Sequence, residues 1–337
     1  MKIASFDTDK RPFLIAEIGN NHEGDHGRAY ELVAAALAAG VDAVKVQVID
    51  PQRLVNVAQT ERIAQLSRFA LPIEVFGEMS SRTRKGGACF MASAFDVDSL
   101  ARIAPFCDAI KLASGDLTFD PLLVRAASLG QPMVLSTGMA RMAEIAHAVS
   151  LIERHLPAGD RLDERLALLH CVSLYPTAIE QANLLAMAAL RNRFGLTTGY
   201  SDHTLGIEAA LVALGMGARV IEKHFTLDKA TSAFRDHALS ADPAEMARLA
   251  TIVRSFALLQ GDGEKGDAIA DAAMAMAVRR SAVAVRDLPA GAVLAAGDLD
   301  FVRPGGGIAP ADASAIVGRR LTCAVARHTV LTPAHFE

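Results

Sequence analysis

Gly199-Tyr200-Ser201-Asp202-His203-Thr204-Leu205-Gly206 and Arg219-Val220-Ile221-Glu222-Lys223-His224-Phe225 decide how this chain is read. Each segment is a short apolar run ending in polar residues, and each polar cluster holds a histidine. A helical run separates the two, so they read as consecutive strand–helix units. Parallel neighbours in a sheet lie roughly 5 Å apart. If these strands are neighbours, His203 and His224 can face one metal ion from adjacent strand ends. Two imidazoles with open positions left over suit a catalytic cation that also holds substrate oxygens. A pair of hydrogen-bonded structural histidines is the competing reading, and it stays open at this level.

Working outward, the same unit recurs. Strand-like runs fall at residues 13–19, 42–48, 88–93, 109–114, 132–137, 166–173, 196–201 and 220–225. Helical stretches follow: the first is capped by Asp25 and stopped by Gly40, others fall at 141–155, 178–193 and 205–216, and the last, at 243–260, is capped by Asp242. Strands alternating with helices imply a parallel sheet. Eight such units in roughly 250 residues point to a closed (β/α)8 TIM barrel, an α/β fold. An open doubly wound sheet would show GxGxxG after its first strand, whereas residues 17–24 read EIGNNHEG.

Composition changes after Gly261. The expected layout is a barrel over residues 1–261, a linker over 262–279, and a small β-rich module of strands and turns over 280–337. A chain of 337 residues exceeds what one core usually fills, which suits this division.

The net charge of -4 and the absence of Trp argue against a nucleic-acid partner or a base-stacking platform. Cys89, Cys107, Cys171 and Cys323 form no CxxC pair and read as reduced thiols, buried where the run is apolar. Residues 1–12 carry charge and lack an apolar signal core. No apolar run approaches the ~18 residues of a membrane span. The expectation is a cytoplasmic enzyme.

Barrel enzymes react at the C-terminal strand ends. There the sequence offers Glu17 and Asn20 to Glu23, then Lys45 with Gln47, Ser93, and Lys111 with Ser114 and Asp116. Ser136, Thr137, Ser173 and Tyr175 follow, then Ser201 to His203, Glu222 to His224, and Arg235 to His237. A lysine inside an apolar strand is costly unless paired or facing a polar cavity. Lys45 and Lys111 with clustered serines describe a cup for phosphate or carboxylate. Alternatively, both lysines neutralise Glu17, Asp116 or Glu222 in a structural network.

These residues resemble the sialic acid synthase family, the phosphoenolpyruvate-dependent nonulosonic acid synthases. The matching motifs are AEIGNNHEGD (16–25), DAVKVQ (42–47), IKLASGD (110–116), LSTGM (135–139), LLHC with LYPT (168–177), GYSDHTLG (199–206) and EKHFTLDK (222–229). DLPAG (287–291) and FVRPG (301–305) look like the family's antifreeze-like (SAF) domain. The resemblance implies condensation of phosphoenolpyruvate with an N-acetylmannosamine-like aldehyde to a nine-carbon 2-keto acid, releasing phosphate. It implies a divalent metal, typically Mn2+ with Mg2+ or Co2+ possible, held by His203 and His224 with Glu222 behind them. By similarity, Lys45, Gln47, Ser93, Lys111, Ser114, Ser136, Ser173 and Ser201 surround phosphoenolpyruvate, and Tyr175 and Asp236 face the sugar. Glu17 would handle the proton of a water, and Asp236 would act on the sugar side. Arg303 would reach the acetamido group from the other subunit of a domain-swapped homodimer.

Some positions depart from the family pattern. Asp116 stands where glutamate is usual, Ser173 where asparagine is common, and Ala94 where a proline is usual. Residues 231–236 replace a Pro-Gly-Pro loop and run one residue longer. That loop lies by the sugar, so a 6-deoxy di-acetamido hexose, giving a legionaminate- or pseudaminate-like product, stands beside N-acetylmannosamine. A Schiff-base aldolase using Lys111 or Lys223, and a binding module without turnover, are the other readings.

Overall fold

The computed structural model describes residues 1–230, 232, 234–265 and 269–337. The chain divides into two compact units, Met1–Gly261 and Asp262–Glu337. Among the described residues, no helix is long and apolar enough to cross a membrane.

The first unit opens with a small antiparallel hairpin, β1 (Lys2–Ile3) and β2 (Phe6–Asp7). Eight parallel strands then close into a barrel: β3 (Phe13–Gly19), β4 (Ala43–Val48), β5 (Cys89–Ala94), β6 (Ala109–Leu112), β7 (Met133–Ser136), β8 (Leu166–Cys171), β9 (Thr197–Asp202) and β10 (Val220–His224). Closure is made by β10 against β3, with Val220 opposite Phe13 and His224 opposite Glu17. A closed barrel is not an open doubly wound sheet, so that alternative falls.

Strand residues alternate between the helical layer and the barrel interior. Leu14, Ala16 and Ile18 join the large core beneath the helices, whereas Phe13 and Ile15 join the interior cluster with Ala43, Met91, Val134, Leu169 and Val220. Two residues further along each strand, the same inward face carries Glu17, Lys45, Ser93, Ser136, Cys171 and Glu222. The barrel is therefore plugged with hydrocarbon at its N-terminal end and polar at its C-terminal mouth. Met1 and Ile3, with Phe6 packed against them, join the apolar plug. The charged appearance of residues 1–12 hid this hairpin, because so few of its side chains do the packing.

Local signals set most boundaries. The Asp25 carboxylate accepts the Arg28 N–H at the start of His26–Ala39, and Gly40 ends that helix in the left-handed region at φ 84°. Asp242 caps Pro243–Gln260 by accepting from Glu245 N. The single helix expected over 178–193 is instead a 3-10 turn, Ile179–Gln181, and a helix, Ala186–Phe194. Between them Asn183 adopts φ 44°, which a continuous helix cannot contain. Ser114 and Asp116 lie on a 3-10 turn beyond β6, so that strand is shorter than expected.

In the second unit β11 (Ser281–Ala284) pairs antiparallel with β12 (Leu299–Val302). Leu288, Leu294, Leu321, Val325, Leu331 and Phe336 belong to its small core. The helix Ile269–Val278 precedes them, inside the stretch read as linker; residues 266–268 of that stretch lie outside those described.

Gly24 tests how tightly the loop after β3 is held. It sits at φ +81°, and a Cβ there would lie 2.0 Å from the Arg68 carbonyl oxygen. Gly87 has a similar φ of +83° with nothing within 4 Å. Gly87→Ala is expected to lose about 1 kcal/mol from backbone strain, and Gly24→Ala distinctly more. Urea unfolding of both variants measures this, and equal losses would mean that the loop is not anchored.

Candidate active site

A cavity of about 900 Å³ opens at the polar mouth of the barrel. At its base lie two ammonium groups and two carboxylates. Lys45 Nζ is 3.0 Å from Glu17 Oε2 and 3.5 Å from Glu222 Oε2, and Lys111 Nζ is 3.9 Å from Glu222 Oε1. All four side chains are buried. The anion cup and the neutralising network are therefore one arrangement, because both lysines line the cavity while paired. Asp116 takes no direct part in that pairing.

The charges are tuned unequally. Burial raises the Glu17 pKa, and the nearby Lys45 only partly offsets this. Burial also works against charge on Glu222, but Lys111 and Lys45 outweigh it and hold that carboxyl below its ordinary value. Lys111 is pushed down by burial, with Glu222 opposing. Glu17 is further oriented by Gln47, whose Nε2 donates to Oε1 at 2.8 Å, while Asn20 Nδ2 donates to Gln47 Oε1 at 3.0 Å.

Hydroxyls line the walls. Lys111 donates to Ser136 Oγ at 2.8 Å, and Lys45 reaches Ser93 Oγ at 3.4 Å. Ser201 Oγ donates to Glu222 Oε1 at 2.9 Å. Ser114 Oγ accepts the Gly138 N–H at 3.0 Å. A Cβ at Gly138 would lie 2.4 Å from Ser173 Oγ and 2.8 Å from Ser114 Oγ, so only glycine lets these hydroxyls crowd together. Cys171 also lines the cavity, buried, with its Sγ 3.7 Å from His203 Nδ1.

Above this base, the His203 and His224 ring centroids lie 5.3 Å apart at an interplanar angle of 60°. A ring bound to a metal through nitrogen at ~2.1 Å has its centroid roughly 3.2 Å from the ion, so two rings at about 100° around one ion are about 5 Å apart. The observed separation fits that requirement. His203 Nδ1 donates to Val172 O at 2.8 Å, which leaves the lone pair on Nε2, and burial pushes its pKa down to about 4. The residue is therefore in the neutral, ligating form at neutral pH. The Tyr175 ring lies tilted by 33° against His203, with centroids 4.2 Å apart, and meets His224 edge-on at 6.1 Å.

Most residues proposed from the sequence converge here: Asp236, Tyr175, Gln47 and Ser173 line the same cavity as the lysines, serines and histidines already described. Asp116 does not; it is buried on the same 3-10 turn as Ser114, outside the cavity lining, with its pKa raised by burial to about 6. Arg303 lies exposed in the second unit, ahead of Pro304. Lys223 and Asp202 point the other way from the cavity. Their side chains pair at 3.2 Å with no solvent exposure, and Lys223 also donates to Thr204 O. Strand alternation explains this, since Lys223 sits between the inward Glu222 and the cavity-lining His224. His170 likewise faces out and bonds Ala182 O at 2.8 Å. In the loop 231–236, Thr231 and Ala233 lie outside the described residues.

Sequence reading missed one wall. Arg62, Gln65, Leu66, Arg68 and Phe69 line the cavity from the excursion between β4 and β5. Its length was the available signal, because a βα connection that long belongs to the catalytic face.

Fold and site define a TIM-barrel synthase with a C-terminal SAF domain. The NeuB family model matches residues 32–265 and the SAF domain model residues 279–337, and the chain belongs to the NeuB family. The N,N'-diacetyllegionaminic acid synthase of Legionella pneumophila is 39% identical over 339 residues, covering 96% of this chain and 94% of that protein. A pseudaminic acid synthase of Campylobacter jejuni is 31% identical, covering 95% of each chain. The N-acetylneuraminic acid synthetase structure from Leptospira borgpetersenii, in complex with citrate, superimposes with a TM-score of 0.72 at 32% identity, covering 79% of this chain and 90% of that one.

Asp116 gives a pH signature. Its folded-state pKa of about 6 lies above the ordinary 3.8, so the folded form binds the proton more tightly. That contribution to stability is full below pH ~4 and disappears as pH rises through ~6. Asp116→Asn is thus expected to raise the urea midpoint relative to wild type at pH 7.5 more than at pH 4, as equilibrium unfolding at the two pH values would report.

Proposed function

We propose that this chain condenses phosphoenolpyruvate with the open-chain aldehyde of an acetamido hexose, giving a nine-carbon 2-keto acid and phosphate. One observation carries the reading: two buried ammonium groups ringed by serine hydroxyls lie beneath a pair of imidazoles spaced for one cation. A substrate with a phosphate and a carboxylate at one end and a reacting carbon at the other suits that arrangement.

Lys45 and Lys111 face the anionic end, with Ser93, Ser114, Ser136, Ser173 and Ser201 supplying hydroxyls for its oxygens. His203 and His224 are the groups that would hold a divalent cation, Mn2+ foremost, which when bound supplies Lewis acidity to the aldehyde oxygen. Carbon 3 of phosphoenolpyruvate bonds to the aldehyde carbon, whose oxygen takes a proton, while positive charge develops at carbon 2. Water adds at carbon 2, and the tetrahedral intermediate collapses to the ketone as phosphate leaves. Glu17 is suited to take the water's proton, because burial raises its pKa and Gln47 fixes its orientation. Glu222, held ionised beside both lysines, keeps the base of the site electrically balanced. Asp236 and Tyr175 face the acceptor.

Similarity to the legionaminic acid synthase favours a 6-deoxy di-acetamido hexose as acceptor; N-acetylmannosamine is the second reading. Arg303 is assigned to the acetamido group in the partner's site of a domain-swapped homodimer, and the setting to the cytoplasm.

The test is phosphate release from phosphoenolpyruvate with Mn2+, Mg2+ or Co2+ across a panel of acetamido hexoses. Wild-type protein is expected to release phosphate with at least one sugar. His203→Ala should abolish the metal-stimulated rate, and Lys111→Met should lower kcat about 100- to 1,000-fold. No release with any sugar and metal, or a borohydride-trapped adduct on Lys111, would remove the reading.

A further inference from the structure

The loop after β10 is tied to the loop after β3 by a chain of buried polar contacts. His237 is 1% exposed. Its Nδ1 lies 2.7 Å from Thr226 Oγ1, and its Nε2 lies 3.1 Å from Glu23 Oε1. Beside it, Asn21 Nδ2 donates to Phe225 O at 2.8 Å and to Ser240 Oγ at 3.0 Å, and Ser240 Oγ donates to Asp236 O at 2.6 Å. Every bond in this set joins residues 21–23 to residues 225–240, or fixes one member of the second group against another.

Asp236 sits in the middle of this arrangement and lines the cavity. Its helix, Arg235–Leu239, has five residues and is too short to hold its own position. The bridge also joins the last βα loop to the first, which no strand pairing does at that height. Glu23 itself lines the cavity and is paired to Arg28 at 3.1 Å. Its pKa is lowered, since the bonds from His237 and Ser232 outweigh the opposing effect of burial. The carboxylate is thus an anchored acceptor for the Nε2–H of His237.

We propose that His237 is a positioning residue. The Thr226–His237–Glu23 bridge holds the loop after β10 so that Asp236 faces the acceptor sugar. This rests on Asp236 being a sugar-side group, as argued above, and it assigns no contact between His237 and substrate. Its effect should therefore fall on the acceptor more than on phosphoenolpyruvate, which is assigned above to the lysines and serines at the base of the cavity and not to the loops that the bridge joins.

The experiment compares His237→Ala, His237→Gln and Glu23→Gln with wild type by steady-state kinetics and by hydrogen exchange of residues 226–240. Gln at 237 keeps an N–H near the Nε2 position, and Gln at 23 keeps an acceptor oxygen. The expected result is an acceptor KM raised 10-fold or more in His237→Ala, a phosphoenolpyruvate KM within about two-fold of wild type, and recovery in His237→Gln. Loop protection should fall in His237→Ala and return in His237→Gln. Equal changes in both KM values, or unchanged loop exchange, would overturn the proposal. If the wild type releases no phosphate with any sugar, the functional reading fails, and the exchange comparison still decides whether the bridge holds the loop. Should His237→Ala not fold, Glu23→Ala breaks the bridge from its other end and is expected to lower loop protection and raise the acceptor KM, with Glu23→Gln retaining near wild-type values; unchanged exchange in Glu23→Ala would overturn the proposal.

Discussion

Lys45 lies between two carboxylates, 3.0 Å from Glu17 and 3.5 Å from Glu222, with all three side chains almost fully buried. Four ionisable groups packed this closely are tolerable only because their charges can balance. Removing one partner of a buried pair typically costs 3–5 kcal/mol, since the remaining charge has neither water nor counter-ion. The mouth of this barrel is therefore built around mutual neutralisation, and every strand that meets there must deliver its polar residue in register. The Glu17–Lys45 and His224–Glu17 pairings of neighbouring strands do this.

The same constraint divides the barrel into two functions. Below, Ile15, Met91, Val134 and Leu169 fill the interior with hydrocarbon and supply stability. Above, the matching positions two residues on carry charge and hydroxyl. Burial of the ammonium groups above this apolar floor strengthens their attraction for an anion. It also makes their unligated state depend on Glu17 and Glu222. An entering phosphate would compete with those carboxylates for the same lysines. Ground-state neutrality and substrate affinity thus use one set of atoms.

Loops complete what the strands begin. Phe69, from the excursion after β4, meets Phe234, from the loop after β10, with ring centroids 4.9 Å apart. These two connections and the Asn21–Glu23 turn enclose the outer half of the cavity. They come from different parts of the chain and share no strand pairing, so side-chain hydrogen bonds, ring contacts and the close backbone approach of Gly24 to Arg68 hold them together. Phe234 and Asp236 line this outer half, in the segment where the chain also departs from the family pattern.

Much of the base of the site was legible because of period two. Lys45 and Gln47, or Glu222 and His224, sit two apart on short apolar strands and so must share a face. That arithmetic needs no coordinates. Residues 62–69 carried no such period: their helix is largely exposed, and nothing local says which loop it will meet. The N-terminal hairpin was equally silent, since Met1, Ile3 and Phe6 become a plug only when a barrel end exists to receive them. Cys171 was read as an inert buried thiol, and its place on the cavity wall depends on the inward turn of β8.

By itself, then, the order of apolar and polar residues determined a barrel of alternating strands and helices, and placed its reactive groups at one end. Those properties follow from local periodicity and from the chemistry of individual side chains. Only the closed tertiary structure decided that Lys223 and Asp202 pair outside while Glu222 pairs inside, that Glu17 is raised where Glu222 is lowered, and that His237 reaches Glu23. Each of those depends on which segments, distant in sequence, share one water-poor volume, and burial and charge proximity act through space, not along the chain.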